Sequence, residues 1–272
     1  MKKIIATIVC TLCTVVIFAQ LVWLSVDKQP FAGTYSRNYH QLLTTWQNQA
    51  ALAYIPAITA GIRTERRFML SAIHQHDAGI VLPVTRGGFG LHLTQTGSAH
   101  FRQQSIGFAY GRPLGERLSI GTQFSYLSRQ VPGYFHAHTI IAELGCLIHL
   151  TPQLHAGMHV FNPAGSRLQK PGNEQVPAVY SAGIGYEISA VLLLSAALVK
   201  ESAMATLTKV MCEYRIIREL SLQLGICTDP QLNTAAVEVS LQQLHIQLSA
   251  SHHPQLGMTP AASFVWQVKK GH

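Results

Sequence analysis

The sequence predicts an all-β fold, a transmembrane antiparallel β-barrel of about twelve to fourteen strands whose N-terminal segment plugs or lines the lumen. Three observations predict it. Charged side chains make up only 12% of the 272 residues, about half the share usual in a soluble domain. From residue 57 to 268 the chain reads as segments of about ten residues with strict two-residue alternation, separated by Gly, Pro, Asn or Asp. The polar side of each segment carries Gly, Ser, Thr and Gln, where the wet face of a soluble sheet carries Lys and Glu.

The alternation is explicit. Leu118, Ile120, Thr122, Phe124 and Tyr126 oppose Ser119, Gly121, Gln123 and Ser125. Tyr180, Ala182, Ile184, Tyr186 and Ile188 oppose Ser181, Gly183, Gly185 and Glu187. Leu220, Leu222, Leu224 and Ile226 oppose Ser221, Gln223 and Gly225, and Leu244, Ile246 and Leu248 oppose His245, Gln247 and Ser249. In a bilayer every backbone group must be paired, and strands achieve that only in a closed barrel. The apolar rows are therefore assigned to lipid and the small polar rows to the interior. Strands are expected to begin near Ala57, Ala78, Gly87, Arg102, Arg117, Thr139, Gln153, Val179, Ala190, Ala205, Glu219, Leu232, Gln242 and Ala261. Pro113–Glu116, Leu150–Gln153 and Ile217–Glu219 read as tight connections, and Pro163–Pro177 as an exposed loop. Tyr110, Tyr126, Tyr214, Phe264 and Trp266 suit interfacial girdles.

The remaining segments divide simply. Lys2 and Lys3, the apolar run Ile4–Ala19 and the small residue before Gln20 form an export signal over residues 1–19, implying an outer membrane reached by the general secretory route. The apolar character continues to Val26, so an uncleaved anchor is the alternative. Residues 20–56 are the plug or lead segment, 57–268 the barrel and 269–272 a tail. Within the lead, Gln41–Tyr54 is helix-compatible, and Trp46, Asn48 and Gln49 are its candidate plug residues. It could lie in the lumen, sit at the periplasmic mouth or remain a flexible lead.

Four carboxylates fall on the small-polar face of strands: Glu143, Glu187, Glu213 and Glu238. Lys209 and Arg215 share that face, so the six are expected to form an internal charge network. A Lys or Arg facing lipid at the bilayer midplane costs about 2–4 kcal/mol, which favours the inward position. Mutual pairing that fills a narrow lumen is favoured over a one-sign selective lining.

Other chemistry is thinly represented. Cys146, Cys212 and Cys227 are too scattered for a disulfide framework or a zinc site. The pairs His74/His76, His136/His138, His155/His159 and His252/His253 lack a third ligand, so no metal site and no cofactor is expected. No Ser–His–Asn arrangement is evident, and Gly87–Gly90 precedes no helix with a Lys, so neither nucleophilic catalysis nor a phosphate loop is expected and the chain is not read as an enzyme. The net charge of +8 is spread out apart from Arg63–Arg67 and Lys269–Lys270, which suits anionic lipid and lipopolysaccharide better than nucleic acid.

Four motifs carry a family resemblance: Asn48-Gln49-Ala50-Ala51-Leu52-Ala53, Leu118-Ser119-Ile120-Gly121-Thr122-Gln123, Gly157-Met158-His159-Val160-Phe161-Asn162-Pro163 and His253-Pro254-Gln255-Leu256-Gly257. In order and spacing the chain resembles the FadL-like outer-membrane barrels of Bacteroidetes, specifically the PorV/PorQ group attached to the type IX secretion system. The resemblance implies about fourteen strands, a lumenal N-terminal segment and no catalytic residues. It also implies either transport of a hydrophobic small molecule or a secretion-associated shuttle or scaffold role with secretion-system proteins as partners. Gln49 stands where that group commonly has Pro.

Overall fold

The computed structural model describes residues 31–169, 174–202, 204–228 and 231–268. The export-signal expectation over residues 1–19 and the 269–272 tail lie outside the described residues. Fourteen antiparallel strands close into one barrel, each paired with its neighbours in sequence and β1 paired with β14. The first seven are β1 (Thr59–Arg66), β2 (His74–Val84), β3 (Gly87–Gly97), β4 (Arg102–Leu114), β5 (Leu118–Val131), β6 (Phe135–His149) and β7 (Leu154–Phe161). They are followed by β8 (Val179–Ser189), β9 (Leu192–Glu201), β10 (Thr206–Ile217), β11 (Leu220–Thr228), β12 (Gln231–Leu241), β13 (Leu244–His253) and β14 (Gly257–Gln267). No helix among the described residues is long and apolar enough to cross a membrane.

The two faces of the wall separate as the alternation requires. On β5, Ile120, Phe124 and Tyr126 are exposed on the outside while Ser119, Gln123 and Ser125 are buried inside. The same holds for Tyr180, Ile184, Tyr186 and Ile188 against Glu187, and for Leu224 and Ile226 against Ser221 and Gln223. The aromatic residues Tyr126, Tyr214, Phe264 and Trp266 all face outward.

The ends of the barrel differ. At one end the connections are tight, as at residues 85–86, 115–117, 190–191, 218–219 and 242–243. Gly115, with φ of 77°, takes the left-handed position that the β4–β5 turn requires. The other end carries the longer connections, residues 67–73 and 162–178.

Two expectations need correction. Strands β2, β6 and β14 begin at His74, Phe135 and Gly257, each four residues before the expected start. There the chain keeps pairing beyond the apolar band, where polar outward residues such as His74, His76, His136 and His138 erase the hydrophobic signal. Gln41–Tyr54 is not one helix: it breaks into an α-helical turn, Leu42–Thr45, and a 3-10 stretch, Gln49–Tyr54. Thr44 and Thr45 bond their hydroxyls back to the carbonyls of Gln41 and Leu42. Asn48, extended at φ −146° and ψ 111°, caps the second piece by accepting from Ala50 N.

Candidate functional site

The lumen is occupied by the chain's own N-terminal segment. Residues 31–56 fill the tight-turn half of the barrel and lead into β1 at that end. Leu42, Leu43, Trp46, Leu52 and Ile55 pack against Val81, Ala109 and Val265 of the wall. Ala32 and Tyr39 pack against Leu193 and Met211, and Tyr35, Ala50 and Ala51 against Leu147. These contacts reach opposite sides of the barrel, so the segment is a plug.

The glycines on the inward face make room for it. A side chain at Gly121 would occupy the space of the Gln49 backbone, and one at Gly145 that of the Asn48 side chain. Asn48 Nδ2 then reaches Cys146 O at 3.1 Å and Met158 O at 3.2 Å. The Asn48–Ala53 motif is thus the part of the plug pressed against the glycine-lined wall of β3 to β7.

The inward carboxylates bind the plug. Glu143 accepts from Gln49 Nε2 at 3.0 Å and Gln123 Nε2 at 2.8 Å, with His159 Nε2 at 3.1 Å. Glu187 accepts from the backbone N–H groups of Arg37 and Asn38 and from Asn38 Nδ2, at 2.6, 3.0 and 2.7 Å. Glu238 accepts from Gln41 Nε2 at 3.0 and 2.9 Å. Arg215 donates to Asn38 O at 3.2 Å and lies 3.7 Å over the Tyr39 ring. Glu213 is held on the wall itself, by Gln223 at 3.1 Å and Arg215 at 3.8 Å. Lys209 lies farther along β10, toward the long-loop end, half-buried opposite Cys227 and Ala197. The expected exchange of charge among these six residues is therefore largely replaced by bonds from neutral amides of the plug to wall carboxylates. Such bonds satisfy a buried carboxylate without burying a second charge.

An imidazole cluster sits beside Glu187. His155 Nε2 lies 3.1 Å from Glu187 Oε1, and His155 Nδ1 lies 2.9 Å from His149 Nδ1. Tyr54 of the plug meets His149 edge-on and stacks on His40. Burial and the neighbouring imidazoles hold His40, in the plug, down at a pKa of about 3.

Above the plug, toward the long-loop end, a pocket remains. Phe31, Trp46, Leu127, Ile141 and Phe161 form apolar walls, and the Trp46 ring stacks on His92 at 4.5 Å. The opposite wall is charged but internally paired: Arg63 meets Glu65 at 2.7 Å and Asp77 at 3.8 Å, and Arg67 meets Glu65 at 2.9 Å. The β7–β8 connection folds back over this pocket. Leu168 and Val176 are buried with Leu127, Ala137 and Ile141. Glu174 bonds Arg129 at 2.8 Å, and Asn162 Nδ2 bonds Val176 O at 2.7 Å.

The closed antiparallel barrel has counterparts among solved structures. This is the fold of the FadL-type channels. The structure is similar to the Pseudomonas putida toluene transporter TodX, with TM-score 0.64, 11% identity, and coverage of 86% of this chain and 96% of that one. The deltaS2 mutant of the TodX monoaromatic hydrocarbon channel matches with TM-score 0.66 and 10% identity, over 85% and 95% of the two chains. A Pseudomonas aeruginosa FadL homologue matches with TM-score 0.57 and 10% identity, over 86% and 94%. The sequence matches no protein-family model and no curated protein.

Within this FadL-type fold, Trp46, Asn48, Gln49, Glu143, Glu187, Arg215 and Glu238 all contact across the plug–wall boundary. Sequence reasoning missed the Arg63, Glu65, Arg67 and Asp77 ladder, which it treated as a basic cluster. The signal was present: Arg63 and Glu65 alternate along the inward face of β1, and Arg67 follows in the same two-residue step just past its end. His40 and His149 were missed because nothing local marks them as neighbours.

Proposed function

We propose that the protein is an outer-membrane transport barrel that takes up a small hydrophobic molecule from the long-loop side and passes it when the plug yields. The pocket carries this reading. Phe31, Trp46, Leu127, Ile141 and Phe161 give it apolar walls inside an otherwise polar lumen, and Trp46 belongs to the plug that closes its floor. The neighbours in fold include a toluene transporter and a monoaromatic hydrocarbon channel, which supports a ligand of that class. Residues 1–19 fit cleavage before Gln20 after Sec export, checked by N-terminal sequencing of the membrane-extracted protein. The test of transport is entry of radiolabelled toluene and of a labelled fatty acid into proteoliposomes. Protein-dependent entry of either supports the reading. Entry of neither, from a barrel that still migrates as folded on unheated gels, overturns it.

A second reading, a closed barrel serving as a secretion-system component of the PorV/PorQ type, is favoured by two observations. Three wall carboxylates, Glu143, Glu187 and Glu238, fasten the plug, and the β7–β8 connection covers the opposite mouth. Silence in planar-bilayer recordings together with a specific protein partner copurified from native membranes supports it.

A further inference from the structure

The outside of the barrel carries a polar strip that the lumen does not use. Strand register aligns two outward rows across β1 to β6. The row nearer the rim runs Arg66, His74, Gly97, Arg102, Gln130, His136. The next runs Thr64, His76, Gln95, Gln104, Ser128, His138. One step further toward the middle of the barrel the row is Ile62, Ala78, Leu93, Ile106, Tyr126, Ile140. Polar and apolar surface therefore meet along a single register line. With strands about 4.8 Å apart and about 3.4 Å of rise per residue, the strip is roughly 24 Å wide and 7 Å tall.

Its chemistry is one-sided. Apart from Gly97, each of its residues offers a hydrogen-bond donor, and two are arginines. The carboxylates of these six strands, Glu65, Asp77 and Glu143, face the lumen, and the connections 67–73, 98–101 and 132–134 contain none. The tight-turn end is mixed, with Arg86, Arg112 and Arg117 beside Glu116. Histidines are segregated too. Among the described residues, those on outward strand positions are His74, His76, His136, His138 and His252, all at the long-loop end. Thr64 fixes His76 through Nδ1 at 3.0 Å and Ser128 fixes His136 through Nε2 at 2.8 Å, so each ring presents its other nitrogen to the surroundings. The paired rings lie 5.2 Å apart in His74/His76 and 6.1 Å apart in His136/His138.

We propose that this strip is a binding surface for the phosphate groups of the phosphorylated glycolipid in the outer leaflet, with the acyl chains lying on the Ile62–Ile140 row. It rests on the outer-membrane reading only for which leaflet is met, since long connections lie on the extracellular side of such barrels. The position of the strip argues for a lipid-borne phosphate: donors begin where apolar surface ends. Guanidinium groups bind phosphate bidentately, and the imidazoles add ring N–H donors. Across the ladder the four histidines face Thr64, Arg66, Gln95, Gly97, Ser128 and Gln130, with Gln169 of the β7–β8 connection bridged to His138, and Glu174 of that connection is paired with Arg129.

The test is titration of the folded barrel in nonionic detergent with diphosphoryl lipid A, with bound lipid counted by native mass spectrometry. Arg66→Gln combined with Arg102→Gln should weaken binding about tenfold or more. Changing His74, His76, His136 and His138 together to Ala should weaken binding several-fold further by removing the ring N–H donors. Arg86→Gln with Arg112→Gln, at the other end, should leave binding unchanged. Equal binding of dephosphorylated lipid A, competition by millimolar inorganic phosphate alone, or no effect of the arginine pair overturns the proposal. Gel migration of each unheated variant checks the barrel separately, so a failed fold and a failed lipid site are told apart.

Discussion

Gln49 of the plug and Glu143 of β6 meet at 3.0 Å, both fully enclosed, although they lie 94 residues apart in sequence. The Glu143 carboxylate is otherwise held by Gln123 and His159. Gln49→Ala removes one charge-assisted hydrogen bond from a buried carboxylate and should lower stability by about 1.5–3 kcal/mol. Gln49→Glu should be worse, because it sets a second carboxylate against the first. Urea unfolding in lipid vesicles, followed by tryptophan fluorescence, measures both. Equal midpoints for Gln49→Ala and the parent protein would remove Glu143 as an anchor.

The close approach at Gly145 predicts a gating phenotype. Gly145→Val places branched carbon where Asn48 now sits, and the wall there cannot retreat without breaking ladder bonds to β5 and β7. The plug should be displaced while the barrel stays closed, at an overpacking cost of about 1–3 kcal/mol. Expected readouts are a larger single-channel current and faster proteolysis within residues 31–56 in detergent. Unchanged current and unchanged proteolysis would mean that the wall, and not the plug, yields.

His40 gives the plug a pH dependence with a definite sign. Docked, it resists protonation down to about pH 3 because it is buried among other imidazoles. Released into water it titrates near its ordinary value of about 6.5. The released state therefore binds the extra proton first, and docking weakens as pH falls from about 6.5 toward about 3. Above about pH 6.5 the contribution is fully present. Labelling of Ala51→Cys with a soluble maleimide, in a background with Cys146, Cys212 and Cys227 changed to Ser, reports release after incubation at each pH. His40→Phe should flatten that profile, and a profile unaffected by the substitution would assign the dependence to another group.

The sidedness of the wall is tested at adjacent positions. A nitroxide at Leu248, 61% exposed on the outside, should relax with oxygen as a lipid-facing probe does. One at Gln247, 5% exposed on the inside, should be shielded from lipid. Reversal of the two accessibilities would turn the barrel inside out and remove the lumen reading altogether.

Much of the wall was legible because a strand writes its two faces into alternate residues. Leu118–Tyr126 and Tyr180–Ile188 could be oriented without any tertiary information, and four carboxylates could be placed inward on the cost of exposing charge to lipid. Their partners could not be read in the same way. Gln41 meets Glu238 across 197 residues of sequence and Asn38 meets Glu187 across 149, and no local pattern connects them. The alternation in Arg63-x-Glu65-x-Arg67 did carry the missed ladder, but adjacent basic side chains masked it. The helix-compatible run Gln41–Tyr54 folds as two short pieces because Thr44, Thr45 and Asn48 satisfy backbone groups locally and interrupt it.

Taken alone, the amino-acid order determined which side of each strand faces outward and which residues must turn away from it. Those are decisions made between nearest neighbours along the chain, by hydrophobicity and by the pleat. Tertiary structure alone decided that β1 closes on β14 at Thr59 and Gln267, that the N-terminal segment lies within the resulting tube, and that the inward carboxylates grip neutral amides of that segment. Those outcomes depend on which distant groups arrive at the same point, and on glycines leaving enough depth for a second backbone to pass.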